Sequence, residues 1–535
     1  MEYRVGMQDL SWWKRAVIYQ VYPRSFQDSN GDGIGDLEGI RARLDYFVDL
    51  GVDAIWISPI YPSPMADFGY DVADYCGIDP IFGTMEDFDH LLEKAHQRGL
   101  RLILDFVPNH TSDQHPWFVA SRSSRDNPKR NWYRWRDQPN NWQSHFGGSA
   151  WEFDGETGQY YLHEFLKEQP DLNWRNPAVK AAMFDALRFW LRKGVDGFRV
   201  DVMWLMIKDD QFRDNPPNPA YEAGQSTRNK FLPVYDADRP EVHEVVAEMR
   251  GVLEEFGDRV LIGEIYLPIE RLMHYYGREL RGANLPFNFQ LLQCPWTADD
   301  LARTIDEYLS ALPAGSWPNW VLGNHDKSRI ASRIGLNMAR AAALLLFSLP
   351  GTLTIYYGEE LGMQDVPIPP DEAHDPAEKR QPGIGMGRDP ERTPMPWDPS
   401  PLCGFTDGLP WLPIGEANRA VNVEFSRKDP HSMLSLYRHL LQLRHAEPAL
   451  VSGRLSELKA GNSVIQFVRS DARKAFGIVV NLSEELRRVA VKAGSIAACT
   501  DLHRVGELVS DGVNLAPAEA MIIEVRDAAT NVVIV

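Results

Sequence analysis

GVDGFRVDV, residues 194–202, decides the reading of this chain: a glycine, an apolar run and a carboxylate where the run ends. The residues before it, FWLRK (189–193), have the character of a helix end closed by basic side chains, which makes Gly194 its C-cap. Helix, glycine, short apolar strand is a unit that recurs: FVDLGVDAIWISP (47–59), KAHQRGLRLILDFVP (94–108) and EEFGDRVLIGEI (254–265) repeat it. The strands are rich in Val, Ile and Leu, as parallel strands buried on both faces are. VIYQVYP (17–23) opens the series, LPFNF (285–289) and WVLGNHD (320–326) read as later strands, and TLTIYYGEE (352–360) as the last.

About eight strand–helix units predict an α/β protein built as a (β/α)8 TIM barrel, with its site at the C-terminal ends of the strands. A doubly wound open sheet competes. It needs a glycine-rich phosphate loop after its first strand, and VIYQVYPRSF has none. Strand alternation places Gly197, Arg199 and Asp201 on one face, toward the barrel mouth, and Phe198, Val200 and Val202 on the other, toward the helices.

The barrel is predicted over 1–110 and 176–452, interrupted twice. Residues 111–175 are dense in Trp, Asn and Gly and predict an inserted, loop-rich domain after strand 3. A Pro-, Asp- and Gly-rich excursion spans 364–430, after which MLSLYRHLLQLRHAEPAL (433–450) reads as a closing helix. From 453 to 535, segments such as SVIQFVRS and KAFGIVVNLS alternate apolar and polar residues. They predict a C-terminal antiparallel β-domain, a small β-sandwich.

With 535 residues the chain is long enough for two or three domains. Its net charge of −19 argues against nucleic acid or an anionic membrane as partner, since both call for clustered Lys and Arg. Four scattered cysteines show no CxxC pair, so neither a zinc site nor a disulfide framework is expected from them. MEYRVGMQDLSWWKR (1–15) has no apolar signal core, and no stretch reaches the ~18 apolar residues of a membrane helix; a cytoplasmic protein is expected.

Four carboxylates stand where strands end: Asp105 in DFVPNH, Asp201 in GFRVDV, Glu264 in LIGEIY and Asp326 in GNHD. A carboxylate there is costly unless it has a task, and converging acids at strand ends suit glycoside cleavage. Arg199 puts a fixed cation beside Asp201, which is expected to lower its pKa and keep it ionised as a nucleophile.

Taken in order, GVDAIWISP, DFVPNH, QPDLN (169–173), GFRVDV, the GE pair, NHD and IYYGEELGM resemble the α-amylase superfamily, glycoside hydrolase family 13. Within it they are most similar to the branch of oligo-1,6-glucosidase and bacterial α-glucosidase. The resemblance covers nearly the whole chain. It implies Asp201 as nucleophile, Glu264 as general acid/base in a less polar site, and Asp326 as the acid that orients the sugar and stabilises the transition state. His110 and His325 would hydrogen-bond the sugar beside the scissile bond. Tyr70 would be a platform under the ring, and Asp71, paired with Arg388, would grip its outer hydroxyls and close the pocket, with Arg392 near enough to confuse that assignment. Phe165 is a candidate for sugar stacking, and Asp105 is expected to brace Arg199 or the pocket.

Asp28-Ser-Asn30-Gly-Asp32-Gly-Ile34-Gly-Asp36 offers hard oxygen ligands at alternate positions with glycines for a tight turn, like half of an EF-hand loop, although Gly39 stands where an EF-hand has Glu. The resemblance implies a structural Ca²⁺ or Mg²⁺ on Asp28, Asn30, Asp32, Asp36 and the Ile34 carbonyl, and no organic cofactor.

The implied activity is a retaining, exo-acting α-glucosidase on short oligosaccharides and disaccharides, acting as a monomer or homodimer. A glucosyltransferase or isomerase, of the sucrose isomerase or trehalose synthase type, is the alternative, although no RLDNR-like loop is present. A catalytically dead binding or transporter subunit would lack the acids and carry a membrane helix. Val202, after the nucleophile, accompanies α-1,6 activity in the resembling branch, and maltose and sucrose stay open as substrates.

Overall fold

Eight parallel strands form the inner sheet of the computed structural model, which describes residues 10–525. They are β1 (Val17–Val21), β2 (Ala54–Ile57), β3 (Arg101–Phe106), β4 (Gly197–Val200), β5 (Val260–Gly263), β6 (Leu285–Pro286), β7 (Asn319–Val321) and β8 (Thr352–Tyr356). Their order around the sheet is β7-β8-β1-β2-β3-β4-β5-β6. Among the described residues no ladder joins β6 to β7. The Asn319 side chain spans that seam instead, donating to the Pro286 carbonyl at 2.7 Å and accepting from the Asn288 N–H at 3.0 Å. This is a (β/α)8 barrel.

Alternation sorts the strand residues as the pleat requires. Ile18, Trp56, Ile103, Val260, Ile262 and Val321 fill the interior as an apolar plug. Tyr19, Ile55, Leu104, Phe198 and Val200 face the helices. Asp105, Arg199 and Glu264 share the inward parity of Ile103, Gly197 and Ile262, so they stand on top of the plug, at the C-terminal mouth. In register, Asp105 of β3 lies beside Arg199 of β4. Gly197 allows this tight packing: a Cβ there would sit 2.4 Å from the Val260 carbonyl oxygen.

Between β3 and β4, residues 111–175 form a three-stranded antiparallel sheet of Trp135–Arg136, Gln159–Leu162 and Trp151–Asp154. They also hold a helix, Pro116–Ser123, where no helical pattern was expected. Proline at its first position and a His115 cap start it. An irregular run after β4, near 207–240, packs onto this insertion: Trp142 Nε1 donates to the Arg213 carbonyl at 2.9 Å and Gly148 N–H to Thr227 Oγ1 at 2.8 Å. The expected 433–450 helix is two, Met433–Ala446 and Pro448–Val451, because Pro448 has no N–H with which to continue the first.

The C-terminal strands form a six-stranded antiparallel sheet and a two-stranded one, Arg487–Val489 with Val513–Leu515. Val464, Val468 and Val479 on one face of the larger sheet pack with Val489 and Leu515 of the smaller. Ile465, Phe467 and Ile478 on the opposite face join the barrel core. Residues 1–9, within the segment read for a signal core, and 526–535, the end of the expected C-terminal domain, lie outside the described residues. No helix among those described is long and apolar enough to cross a membrane.

Candidate active site

A cavity of about 780 Å³ opens at the C-terminal ends of the strands. Asp201, Glu264, Asp326, Tyr70, His110 and His325 line it, with Phe165 and Arg388. Arg199 lies beneath, 1% exposed at its side chain, and is the hub of the floor. Its Nη1 donates to Asp105 at 2.9 and 3.1 Å and to Asp201 Oδ1 at 3.0 Å, while Nη2 reaches Glu264 Oε2 at 2.8 Å. The guanidinium also lies 5.1 Å from the Trp56 ring centroid. One cation thus serves three buried carboxylates.

This sharing corrects the expectation that Arg199 keeps Asp201 ionised by lowering its pKa. Burial and the Glu264 carboxylate push the Asp201 carboxyl well above the usual carboxylate range, against the pull of Arg199. Asp105 is pushed up to about 6, again by burial, with Arg199 opposing. Nor is the Glu264 site the less polar one: its Oε2 accepts from both Arg199 and the Val202 N–H, the latter at 2.9 Å. Asp105, Asp201 and Glu264 thus crowd one cation in a dry floor, where burial favours the neutral form of Asp105 and Asp201. A retaining glycosidase needs a pair with one carboxyl protonated and one ionised.

Val202 delivers that N–H from a left-handed backbone, φ +34°, rare for a β-branched residue. This conformation aims the amide after Asp201 at the neighbouring acid.

Asp326 is set apart electrostatically. Burial works against its ionisation, yet His325, Arg388 and Arg392 hold its carboxyl well below the usual range. Burial drives His325 itself far below the ordinary imidazole value, so at neutral pH the arginines carry the effect. Arg392 donates to Asp326 Oδ1 at 2.9 Å and Arg388 at 3.3 Å.

Both histidines are neutral and positioned. His325 takes the Gln20 side-chain amide on Nδ1 at 2.8 Å and bonds the Tyr70 hydroxyl through Nε2 at 2.7 Å; that hydroxyl donates to Asp105 at 3.1 Å. His110, pushed down to about 4 by burial, donates from Nε2 to the Tyr70 carbonyl at 3.1 Å. The Tyr70 and His325 rings stack, with centroids 5.4 Å apart. Phe165 stacks on His145 at 4.9 Å and lies 5.2 Å from the His110 ring.

The expected Asp71–Arg388 closure is not formed. Asp71 is fully buried away from the cavity, and its carboxylate accepts the N–H groups of Ala66 (2.8 Å) and Asp67 (3.0 Å). It is a turn-former. Arg388 pairs instead with Asp67 Oδ1 at 2.6 Å and with Asp375 Oδ2 at 2.6 Å. The acid at the end of the pocket is therefore Asp67, four residues earlier in the chain. The sequence reading also missed Asp375 and the wall formed by Asn218, Arg228 and Phe231 from the irregular run after β4. That run, NPPNPAYEAGQSTRNKFLP (215–233), is rich in Pro and Asn and could have been read as a binding loop.

The 28–36 loop lies outside this cavity. Asp28 Oδ1 accepts the N–H groups of Asn30 (2.9 Å) and Gly31 (2.8 Å), and Asp36 Oδ2 that of Ser29 (2.9 Å). Among the described residues none of Asp28, Asp32 and Asp36 is paired with a basic side chain. Asp28 Oδ2 also accepts the Gly33 N–H at 2.8 Å and Asp36 Oδ1 that of Gly39 at 2.6 Å, so the acids, whose residue types suit a hard cation, are engaged here in the loop's own turns and do not converge on one point.

Residues 20–453 match the family described as alpha amylase, catalytic domain. A probable α-glucosidase of Rhizobium meliloti strain 1021 is 43% identical over 499 residues, covering 89% of this chain and 90% of the relative. The oligo-1,6-glucosidase of Parageobacillus thermoglucosidasius is 40% identical over 518 residues, covering 89% and 91%. Among solved structures, an α-glucosyl transfer enzyme superposes with a TM-score of 0.91 at 40% identity, over 97% of this chain and all of the other. The trehalulose synthase of Pseudomonas mesoacidophila MX-45 gives 0.88 at 36%, over 96% and 99%. With its barrel, its three converging acids and these relatives, the chain belongs to the α-amylase family of glycoside hydrolases.

Proposed function

We propose that the protein is a retaining α-glucosidase that removes α-glucose from the non-reducing end of short α-glucosides of the maltose, isomaltose or sucrose type. The observation that carries this reading is the Asp67–Arg388–Asp375 cluster against Asp326: a cavity whose floor holds the acids has one end walled by buried ion pairs. A wall there admits one terminal sugar, with Tyr70 and His325 against its face, and leaves the aglycone toward the Arg228 side.

For the first step the proton that burial favours on Asp201 passes to Glu264; Asp201, then a carboxylate, attacks the anomeric carbon while Glu264 gives that proton to the glycosidic oxygen, the C–O bond breaks and the aglycone leaves as an alcohol. Among the described residues Glu264 Oε1 has no hydrogen-bond partner, which leaves it for that oxygen. Asp326, kept ionised by Arg388 and Arg392, offsets the positive charge that develops at the ring. In the second step Glu264 takes a proton from water, whose oxygen displaces Asp201 with net retention. A sugar hydroxyl in place of water gives transglucosylation.

Anomer-resolved NMR of early product tests this: α-glucose appearing first supports it, and β-glucose contradicts it. The second reading, a dedicated transferase or isomerase, is favoured by the likeness to solved structures named as an α-glucosyl transfer enzyme and a trehalulose synthase. Incubation with concentrated sucrose separates them. Glucose as the main product supports hydrolysis, and a new disaccharide as the main product supports the alternative. Val202 on the cavity wall leans the linkage toward α-1,6, as does the oligo-1,6-glucosidase relative.

The 28–36 loop is proposed to hold Ca²⁺ or Mg²⁺ that braces the first strand–helix connection and takes no part in the chemistry. Four free cysteines support a reducing, cytoplasmic setting.

A further inference from the structure

Far from the cavity, on the seam between barrel and C-terminal sheet, His431, Asp501 and His503 come together from two domains. One ring nitrogen of each histidine and one Asp501 oxygen all lie within 4.8 Å of one another. The two imidazoles stack, with centroids 3.5 Å apart and planes at 25°. The Nδ1 atom of His431 is buried and has no hydrogen-bond partner, which a packing role leaves unexplained.

Both sides are held before any ligand arrives. His431 sits in the turn before the Met433–Ala446 helix, its N–H bonded to Asp429 Oδ1 at 2.8 Å. His503 lies in the single turn Leu502–Arg504, its N–H bonded to Asp501 Oδ1 at 3.1 Å. Two further bonds cross the same seam nearby: Arg340 Nη2 to the Thr500 carbonyl at 2.6 Å and His439 Nε2 to the Ala497 carbonyl at 2.7 Å.

We propose that His431, Asp501 and His503 bind a divalent transition-metal ion, of which Zn²⁺ is the representative, and that the ion staples the C-terminal domain to the barrel. Two imidazoles and a carboxylate are borderline ligands that suit zinc and its neighbours better than calcium. Donors around a tetrahedral zinc ion lie about 3.3 Å apart, so a closing movement of ~1.5 Å suffices. His503 and Asp501 are exposed and His431 is half-buried, so the side chains can fan apart from the stack onto one ion, with water in the remaining position.

The test uses tag-free protein stripped with a chelator and returned to buffer containing millimolar Ca²⁺, which keeps the 28–36 loop out of the readout. Zn²⁺ is then titrated, with bound metal measured by emission spectroscopy and the thermal midpoint followed; Co²⁺ provides an absorption signature of nitrogen ligation. One zinc per chain and a midpoint that climbs with zinc concentration are expected. His503→Gln and His431→Gln should each weaken binding at least tenfold and remove the climb, with glucosidase activity unchanged. No bound zinc in the wild type, or unchanged affinity in both variants, overturns the proposal. Should His431→Gln fail to fold, the exposed His503→Gln decides alone.

Discussion

Arg388 reaches across 321 residues of chain to place Nη2 at 2.6 Å from Asp67, while Asp71, four residues further on, faces inward to hold the turn. The pocket end and the turn beside it are thus made by two acids four residues apart, and mutation separates their jobs. Asp67→Asn or Arg388→Lys breaks a buried pair, so kcat/KM on disaccharides should fall about a hundredfold or more, mainly through KM. Asp71→Asn should instead cost about 1–3 kcal/mol of stability, with KM of the folded enzyme near wild type. Steady-state kinetics beside thermal melts check both.

Asp201→Asn should remove turnover while leaving the fold intact. Glu264→Gln should keep its best activity on aryl glucosides with good leaving groups, which depart without a proton. An equal loss on all substrates would deny Glu264 its acid role.

Glu359 follows β8, 2% exposed, with neither carboxylate oxygen hydrogen-bonded. Burial raises its pKa to about 8, against Arg329 and Arg333. The unfolded chain releases that proton near about 4.3. Between those values the folded state holds the extra proton, so stability falls as pH rises through that window, and the loss is complete above about 8. Glu359→Gln, neutral throughout, should match wild type near about pH 5 and melt higher near about pH 9. Melts across pH measure the slope.

Chelation of the 28–36 loop should lower the melting point by several degrees, restored by Ca²⁺, because a cation bound only by the folded state stabilises it by mass action. Asp32→Ala should abolish the calcium response and leave kcat at room temperature unchanged.

The barrel was legible because its code is local: a capped helix end, then buried strand residues. GVDGFRVDV states parity, and parity places Arg199 on the floor. The floor's shared cation was not legible, since the sequence shows Arg199 beside Asp201 but not that Asp105 and Glu264 claim the same guanidinium. The choice between Asp67 and Asp71 escaped for another reason. Met65 and Phe68 both have left-handed backbones, at φ 63° and 49°, so no strand or helix period projects which acid points outward. The 215–233 wall likewise has no period to read.

A pocket walled at one end by Arg388 and Asp67, working through a covalent glucosyl intermediate as proposed, fixes the order of events. The aglycone must depart before glucose can, so free glucose is the last product out and the natural competitive inhibitor. No chain can be threaded from one cut to the next, so each encounter releases one sugar. While the glucosyl-enzyme waits, whatever stands beside it is its acceptor, and a crowd of sugar there turns a hydrolase toward synthesis.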